Sequence, residues 1–357
     1  MSAVPAPDTG PDAAAVWHHG DPLGEQRAAI DEAVLVDRSQ RAVITLTGGD
    51  RNTWLHSIST QHVSDPADGT VTENLSLDGQ GRVEDHWIQT ELGGVTYLDT
   101  ESWRGEPLTA YLRRMVFWSD VVVEPADLAV LSLLGPRLAD PAVLEALGVA
   151  SLPAEMTAVA FPDGGFLRRM AGRGIELDLV VPRTAIASWR DLLVAAGVRP
   201  AGVWAYEAHR VTALRARLGV DTDERTIPHE VGWIGTAVHL DKGCYRGQET
   251  VARVHNLGKP PRMLVLLHLD GSGDRPVTGD PILAGGRAVG RLGTVVDHVD
   301  EGPIALALLK RSLPADTELT TGGESTVAAV IDADSMPPPD ATGAGRLAVE
   351  QLRGGAR

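Results

Sequence analysis

Residues Asp241 to Arg253, DKGCYRGQETVAR, hold the one cysteine of a 357-residue chain, Cys244, between Gly243 and Gly247. Glycine on either side of Cys244-Tyr245-Arg246 predicts a tight loop in which positive φ or close backbone approach is required. Lys242 and Arg246 flank the cysteine in sequence, and nearby positive charge favours the thiolate, the form that acts as nucleophile or metal ligand. The run Glu249-Thr250-Val251-Ala252-Arg253 would fix the loop to the body of the fold. From Lys242 to Arg262 five cations (Lys242, Arg246, Arg253, Lys259, Arg262) face one acid, Glu249, so the stretch carries +4 in a chain of net charge -16. Such a local reversal of sign reads as an anion site. The competing reading is a free cysteine packed as a small buried hydrophobe. The glycines, the cations and the lack of apolar neighbours favour a thiol that does chemistry.

The elements that must carry this loop alternate between strand and helix. Arg41–Thr47 reads as a strand, and Gly48-Gly49-Asp50 turns the chain into a helix with Trp54, Leu55 and Ile58 on one face. Gly69–Leu77 and Val83–Thr90 read as paired strands joined at Asp78-Gly79-Gln80-Gly81, a hairpin signal. Further strands at 95–98, 121–123 and 129–134 surround a helix marked by Leu108, Tyr111, Leu112 and Met115. A second half has a short helix ending at Gly148, strands at 158–161, 166–170 and 176–181, a helix closed by Gly197, and another from Trp204 to Leu218. After Pro260-Pro261, short strands separated by Gly, Asp and Pro turns, with Gly285-Gly286 at a hairpin tip, predict a small all-β barrel. The expected division is a disordered lead (1–24), an N-terminal α+β part (25–135), a second α+β part ending in the cysteine loop (136–258), the barrel (259–333) and a flexible tail (334–357) with at most a weak helix.

Composition narrows the function. An apolar content of 43% is ample for a core, and no run approaches the roughly 18 apolar residues of a membrane span. The opening MSAVPAPDTGPDAAAV lacks the basic and apolar regions of a signal peptide, so a cytoplasmic protein without membrane contact is expected. The acidic charge argues against general nucleic-acid binding. One cysteine builds no disulfide framework, nor the set of about four thiolates that an iron–sulfur cluster takes. His229, His239 and His255 lack zinc-ligand spacing with a cysteine, so no resident metal is expected.

Lys242-Gly243-Cys244-Tyr245-Arg246-Gly247-Gln248-Glu249 resembles the K-G-C-Y-x-G-Q-E signature of the YgfZ-type folate-binding proteins. These are relatives of the aminomethyltransferase (T-protein) of the glycine cleavage system, and they are implicated in assembly or maintenance of iron–sulfur enzymes. The resemblance implies an α+β, aminomethyltransferase-like folate-binding fold with a C-terminal small all-β barrel, and tetrahydrofolate or a derivative as cofactor. Within Gly79-Gln80-Gly81-Arg82-Val83-Glu84-Asp85, Asp85 matches an acid that sits beside the reactive nitrogen of the folate in the T-protein relatives. Many cysteine-bearing members lack that acid, and an unpaired surface aspartate is the alternative. Glu176, in Gly174-Ile175-Glu176-Leu177, resembles the glutamate that grips the pterin ring, whereas its alternation with apolar residues also suits an ordinary solvent-facing side chain. A carboxylate can accept two parallel N–H bonds from a pterin edge, as it does from arginine. Leu214-Arg215-Ala216-Arg217-Leu218-Gly219 resembles the L-R-L-E-A-G segment whose arginine meets the glutamyl tail. Arg215 fits that place, but Arg217 stands where the pattern has Glu, which leaves the choice of arginine open. Thr226-Ile227-Pro228-His229-Glu230 matches T-x-P-x-E, with Glu230 expected to pair with a cation.

Carried onto this chain, the resemblance implies cofactor contacts from Asp85, Glu176, Arg215, Lys242, Tyr245 and Arg246, with Cys244 and Asp85 as the catalytic candidates. Three readings follow. One is a folate-binding accessory protein whose partners are reduced folate and iron–sulfur proteins or cluster-assembly factors. In it Cys244 coordinates iron transiently or acts as nucleophile or redox group, choices that stay open. Another is a tetrahydrofolate-dependent aminomethyltransferase in which Asp85 positions the reacting amine. A folate-responsive binding module with a structural Cys244 is a third.

Overall fold

The computed structural model describes residues 3–257, 259–323 and 326–338. In chain order the elements are β1 (Val4–Pro5), β2 (Val16–His18), α1 (Pro22–Asp31), β3 (Val34–Asp37), β4 (Ala42–Thr47), α2 (Arg51–Ile58), β5 (Val71–Leu77), β6 (Val83–Leu92), β7 (Val95–Thr100), α3 (Ser102–Met115), β8 (Val122–Ala126) and β9 (Leu128–Leu134). There follow α4 (Pro141–Leu147), β10 (Thr157–Ala160), β11 (Phe166–Arg169), β12 (Glu176–Pro182), α5 (Ile186–Ala195), β13 (Arg199–Ala201), α6 (Val203–Thr212) and α7 (Gln248–Leu257). The last strands are β14 (Arg262–Leu269), β15 (Pro281–Ala284), β16 (Arg287–His298), β17 (Gly302–Lys310), β18 (Leu319–Thr321) and β19 (Val327–Ile331). The expected α+β class with a C-terminal barrel is what the chain adopts.

Contacts divide the chain into two interleaved units. The first comprises the chain up to Ile58, Val63–Asn74 and His86–His209; the second comprises Ser59–His62, Leu75–Asp85 and the chain from Arg210 onward. The tip of the β5–β6 hairpin falls in the second unit because its partners lie far along the chain: Val83 N–H donates to Thr226 O at 2.9 Å.

The first unit holds a six-stranded sheet in the order β10-β11-β12-β9-β3-β13, and β13 alone runs parallel to its neighbour. Alternate residues of its strands, among them Leu131, Leu133, Leu177, Leu179 and Val181, meet Leu193 of α5 and Val143 of α4 in one apolar cluster, the period-two pattern of a sheet with one face against helices. The five-stranded sheet is ordered β5-β6-β7-β4-β8, with Leu108 and Leu112 of α3 and Trp54 and Leu55 of α2 in the cluster that Ile44, Leu46 and Leu98 build.

Three expectations are corrected. The lead, read from its Ala, Pro and Gly content as disordered, contains the β1–β2 pair, and Ala6, Asp12 and Ala15 are buried. Trp17 stacks on Trp204 at 5.4 Å, and the chain passes so close that a Cβ at Gly202 would lie 2.1 Å from Trp17 O. Long-range aromatic burial of this kind leaves no trace in local composition. Helix α1 starts at Pro22, inside the residues read as the lead, because Asp21 caps it by accepting from Gly24 N–H and proline suits a first helical position. Helix α6 ends at Thr212 instead of Leu218, where Leu214 takes φ +55°. Of the tail, residues 339–357 lie outside the described residues.

In the second unit the six barrel strands close in the order β14-β17-β16-β15-β18-β19, with β19 pairing back to β14. Met263, Val265, Leu267 and Leu269 alternate into its core. A bulge in β16 between Leu292 and Val295 frees Thr294 N–H to donate to Asp221 Oδ1 at 2.7 Å, a common use of the unpaired residue at a bulge.

The first unit also buries an ion network that no local pattern signals. Arg168 on β11 donates to Asp178 of β12 at 2.8 and 3.1 Å and pairs with Asp99 of β7 at 2.5 Å. Asp99 also accepts from Arg41 at 2.7 Å, and Arg41 reaches Glu101 at 3.1 Å. Burial alone would raise the Asp99 carboxyl, but the Arg168 and Arg41 guanidinia outweigh it and hold it well below the usual carboxylate range. Breaking a buried pair leaves an uncompensated charge, at a cost of about 3–5 kcal/mol. Arg168→Met is therefore expected to lower the unfolding free energy obtained from urea denaturation by that order. Because the folded Asp99 value is depressed, its contribution is present above the unfolded value of about 3.9 and is lost as pH falls below it. The stability gap between wild type and Asp99→Asn is expected to shrink from pH 5 to pH 2.

Candidate functional site

Cys244 is exposed, on a loop held to the tip of the β5–β6 hairpin by two glycines. Gly247 has φ +84° and Gly81 has φ +78°. A Cβ at Gly247 would lie 2.7 Å from Asp78 O and 2.9 Å from Gly81 Cα, and one at Gly81 would lie 2.8 Å from Thr250 Cβ. Only glycine permits both the conformation and the approach. Gly243 has neither constraint: its φ is not in the left-handed region, and a Cβ there would meet nothing within 4 Å. Gly247, and not Gly243, makes the loop depend on glycine.

Beyond Gly247 the chain enters α7, with Gln248 N–H donating to Tyr245 O and Val251 buried. Gln248 Nε2 also donates to Lys242 O at 3.3 Å, and Glu249 is exposed in the first turn. On the other side, Asp78 Oδ1 accepts from the backbone N–H groups of Gln80 and Arg82, both at 2.8 Å, and tightens the hairpin turn.

The two cations expected at the sulfur are engaged elsewhere. Lys242 is buried, its Nζ donates to Ser59 O, and it lies 5.1 Å from the centre of the Tyr245 ring. Burial lowers its ammonium to about 8 and pushes the Tyr245 phenol up to about 12. Arg246 pairs with Glu84 of the hairpin at 2.9 Å. Arg262 pairs with Asp223 at 2.6 Å and with Glu230 at 2.7 Å, the cation expected for Glu230. Within the basic stretch Arg253 and Lys259 are exposed, so the +4 read along the chain is in large part met by acids that folding brings to it.

Asp85 is buried on β6 and accepts from Ser76 Oγ at 2.9 Å, which removes the reading of an unpaired surface aspartate. Glu176 opens β12 opposite Leu134 and is likewise buried instead of solvent-facing. The Tyr206 hydroxyl donates to its Oε1 at 3.0 Å, and His209 Nε2 lies 3.4 Å from its Oε2. Asp85, the cysteine loop and Arg215 belong to the second unit and Glu176 to the first.

Residues 262–335 match the family described as CAF17, C-terminal beta-barrel domain. The crystal structure of glycine cleavage system aminomethyltransferase T from Bartonella henselae covers 94% of both chains with a TM-score of 0.82 at 18% identity. This is an aminomethyltransferase fold carrying a CAF17-type barrel. Aminomethyltransferase of Stenotrophomonas maltophilia (strain R551-3) is 29% identical over 270 residues, 70% of this chain and 71% of its own length. That of Bordetella avium (strain 197N) is 29% identical over 232 residues, 60% of this chain and 61% of its own, less than two thirds of that relative. The YgfZ-type resemblance carried by Lys242 to Glu249 agrees with both the aminomethyltransferase fold and the CAF17-type barrel.

The CAF17-type barrel is also where Arg210, which sequence reasoning left aside, is anchored. Its Nη1 donates to Asp221 Oδ2 at 2.6 Å and to Arg215 O at 2.6 Å, and its Nη2 donates to Thr294 Oγ1 at 2.5 Å. Arg215 itself is half-buried on the non-helical stretch after α6, and Arg217 is buried with its N–H on Asp221. No local pattern marks Arg210, because its partners are a turn residue and a β-bulge. Among the described residues no group of three or more His, Cys, Asp or Glu could hold a metal ion.

Two outcomes test this geometry. Gly247→Ala is expected to lower the thermal midpoint by several degrees and speed reaction of Cys244 with a thiol reagent, whereas Gly243→Ala changes neither. The second outcome concerns pH. The folded Lys242 value of about 8 lies below the ordinary 10.5. The cost of burying the ammonium is thus fully present below pH 8 and is relieved as pH rises from 8 to 10.5. In melting curves from pH 7 to 10, wild type is expected to gain stability relative to Lys242→Met.

Proposed function

We propose that the protein is a folate-binding accessory factor for assembly or maintenance of iron–sulfur enzymes, acting in the cytoplasm with Cys244 as its working group. The observation that carries this reading is an exposed thiol on a loop whose backbone is locked by Gly81 and Gly247. A cysteine used for packing is normally buried. Here the buried loop side chains are Lys242 and Tyr245, and the sulfur is the group presented outward. The match to the CAF17 barrel supports the iron–sulfur side of the reading, and the aminomethyltransferase relatives support the folate side.

The residues fit a reduced folate. Glu176 is a buried carboxylate that accepts from the Tyr206 hydroxyl, with His209 Nε2 3.4 Å from its other oxygen, and a carboxylate accepts up to about four hydrogen bonds. It would take the N–H edge of the pterin; Arg215, Lys242, Tyr245 and Arg246 are assigned folate contacts by the resemblance alone. The folate, when bound, would supply a one-carbon carrier. The thiol would serve as a transient iron ligand, a nucleophile or a redox group, toward iron–sulfur proteins or cluster-assembly factors as partners.

A second reading is favoured by one observation: Asp85 is buried and held by Ser76, an environment suited to positioning a reacting amine. The protein would then be a tetrahydrofolate-dependent aminomethyltransferase, in which the Asp85 carboxylate orients the amine by accepting its N–H.

Complementation of a deletion strain separates these. An iron–sulfur enzyme assayed under oxidative stress is expected to lose activity on deletion, and to regain it with wild type and Asp85→Asn but not with Cys244→Ala. Intact cluster enzymes together with disturbed one-carbon metabolism, rescued by Cys244→Ala and not by Asp85→Asn, would replace the accessory role with the transferase. Rescue by both variants would leave a folate-responsive binding module in which the thiol is structural.

A further inference from the structure

Glu176 does not stand alone in its part of the first unit. Tyr206 and His209, one helical turn apart on α6, reach its two oxygens separately, the phenol at Oε1 (3.0 Å) and the imidazole at Oε2 (3.4 Å). The terminal torsion of a glutamate is broad and roughly two-fold, so the plane of the carboxylate is set by whatever binds its oxygens. Recognition of two parallel N–H groups depends on that plane, because both bonds form together only when the oxygens face the donor edge squarely.

The phenol is itself held. The Arg38 guanidinium lies 3.7 Å from the centroid of the Tyr206 ring, a cation–π arrangement. Arg38 in turn donates to Ser132 Oγ at 3.0 Å and lies 4.0 Å from Asp178 Oδ1, while Ser132 Oγ donates to the same Asp178 oxygen at 2.5 Å. Asp178 is anchored by Arg168. A continuous chain of buried or half-buried polar contacts thus runs from the ion network to the carboxylate. We propose that Tyr206 is a positioning residue for recognition of an aminopyrimidine edge by Glu176, and that Arg38 holds Tyr206 in the orientation this requires. The inference rests on the reading of Glu176 as the group that takes the pterin.

A tie that merely fastens α6 to β12 would have the same contacts, so the test needs a readout that packing does not move. Full-length protein is titrated calorimetrically with 5-formyltetrahydrofolate and with its 2-desamino-2-methyl analogue, which lacks the exocyclic amine. Wild type is expected to prefer the parent compound about tenfold or more, the scale of one hydrogen bond to a charged group. Tyr206→Phe, which keeps the ring, is expected to bring that preference close to parity. Arg38→Lys keeps the charge, loses the planar stack, and is expected to fall between the two. An unchanged preference in both variants, with Glu176→Gln abolishing it, would overturn the positioning role while leaving the reading of Glu176 standing. Equal loss of both compounds in Tyr206→Phe and Arg38→Lys would make the chain structural and overturn the proposal equally. If Glu176→Gln leaves the preference intact, or wild type binds neither compound, the reading of Glu176 itself fails and takes the inference with it.

Discussion

Arg168 is the cation on which the first unit depends. Its guanidinium is almost fully buried, and it is placed between Asp99 of the five-stranded sheet and Asp178 of the six-stranded one. A charge in that position survives only if every donor is met, because the effective desolvation penalty of an isolated ion is several kcal/mol. The requirement propagates outward. Asp99 needs Arg41 as well, Arg41 needs Glu101, and Asp178 needs Ser132. The apolar clusters of the unit would tolerate small displacements that the ion network does not. A fully satisfied polar network specifies one arrangement more sharply than apolar contact does.

The same logic, applied to backbone instead of charge, operates at the cysteine loop. Gly81 and Gly247 are 166 residues apart in sequence, yet each occupies the space that a side chain on the other would need. The contact fastens an exposed thiol to the hairpin that carries Asp85. A reactive group on a mobile loop loses effective concentration and orientation, whereas one on a locked backbone keeps both. The Lys242 contacts with Ser59 and Tyr245, together with the Arg246–Glu84 pair, add side-chain ties to the backbone one.

Charge along the chain proved a poor guide to charge in space. A run of five cations against one acid suggested an anion site, but folding delivers Glu84, Asp223 and Glu230 to Arg246 and Arg262. Lys242 turns inward to a carbonyl. Each of these partners lies well away in sequence, and a window that moves along the chain cannot include them. The neutralised cations act mainly as fasteners, and the exposed Arg253 and Lys259 keep the character that the whole stretch suggested.

By itself the sequence determined the alternation of strand and helix, the hairpin at Asp78–Gly81, the barrel after Pro261, and the identity of the loop around Cys244. All of these rest on periodicity, on turn residues, or on a contiguous signature, and so are written within short windows. Glu176 and Asp85 were named through resemblance, but their burial was not legible, since a carboxylate alternating with apolar residues on a strand looks the same whether it faces water or a tyrosine. Only the tertiary structure decided that Gly247 is constrained and Gly243 is not, that Arg210 is anchored at a β-bulge, that the opening residues pack through Trp17 on Trp204, and that Tyr206 and Arg38 stand behind Glu176. The physical reason is common to all four. Each depends on a contact between groups distant in sequence, and the free energy of such contacts is set by burial and geometry that exist only once the chain has folded.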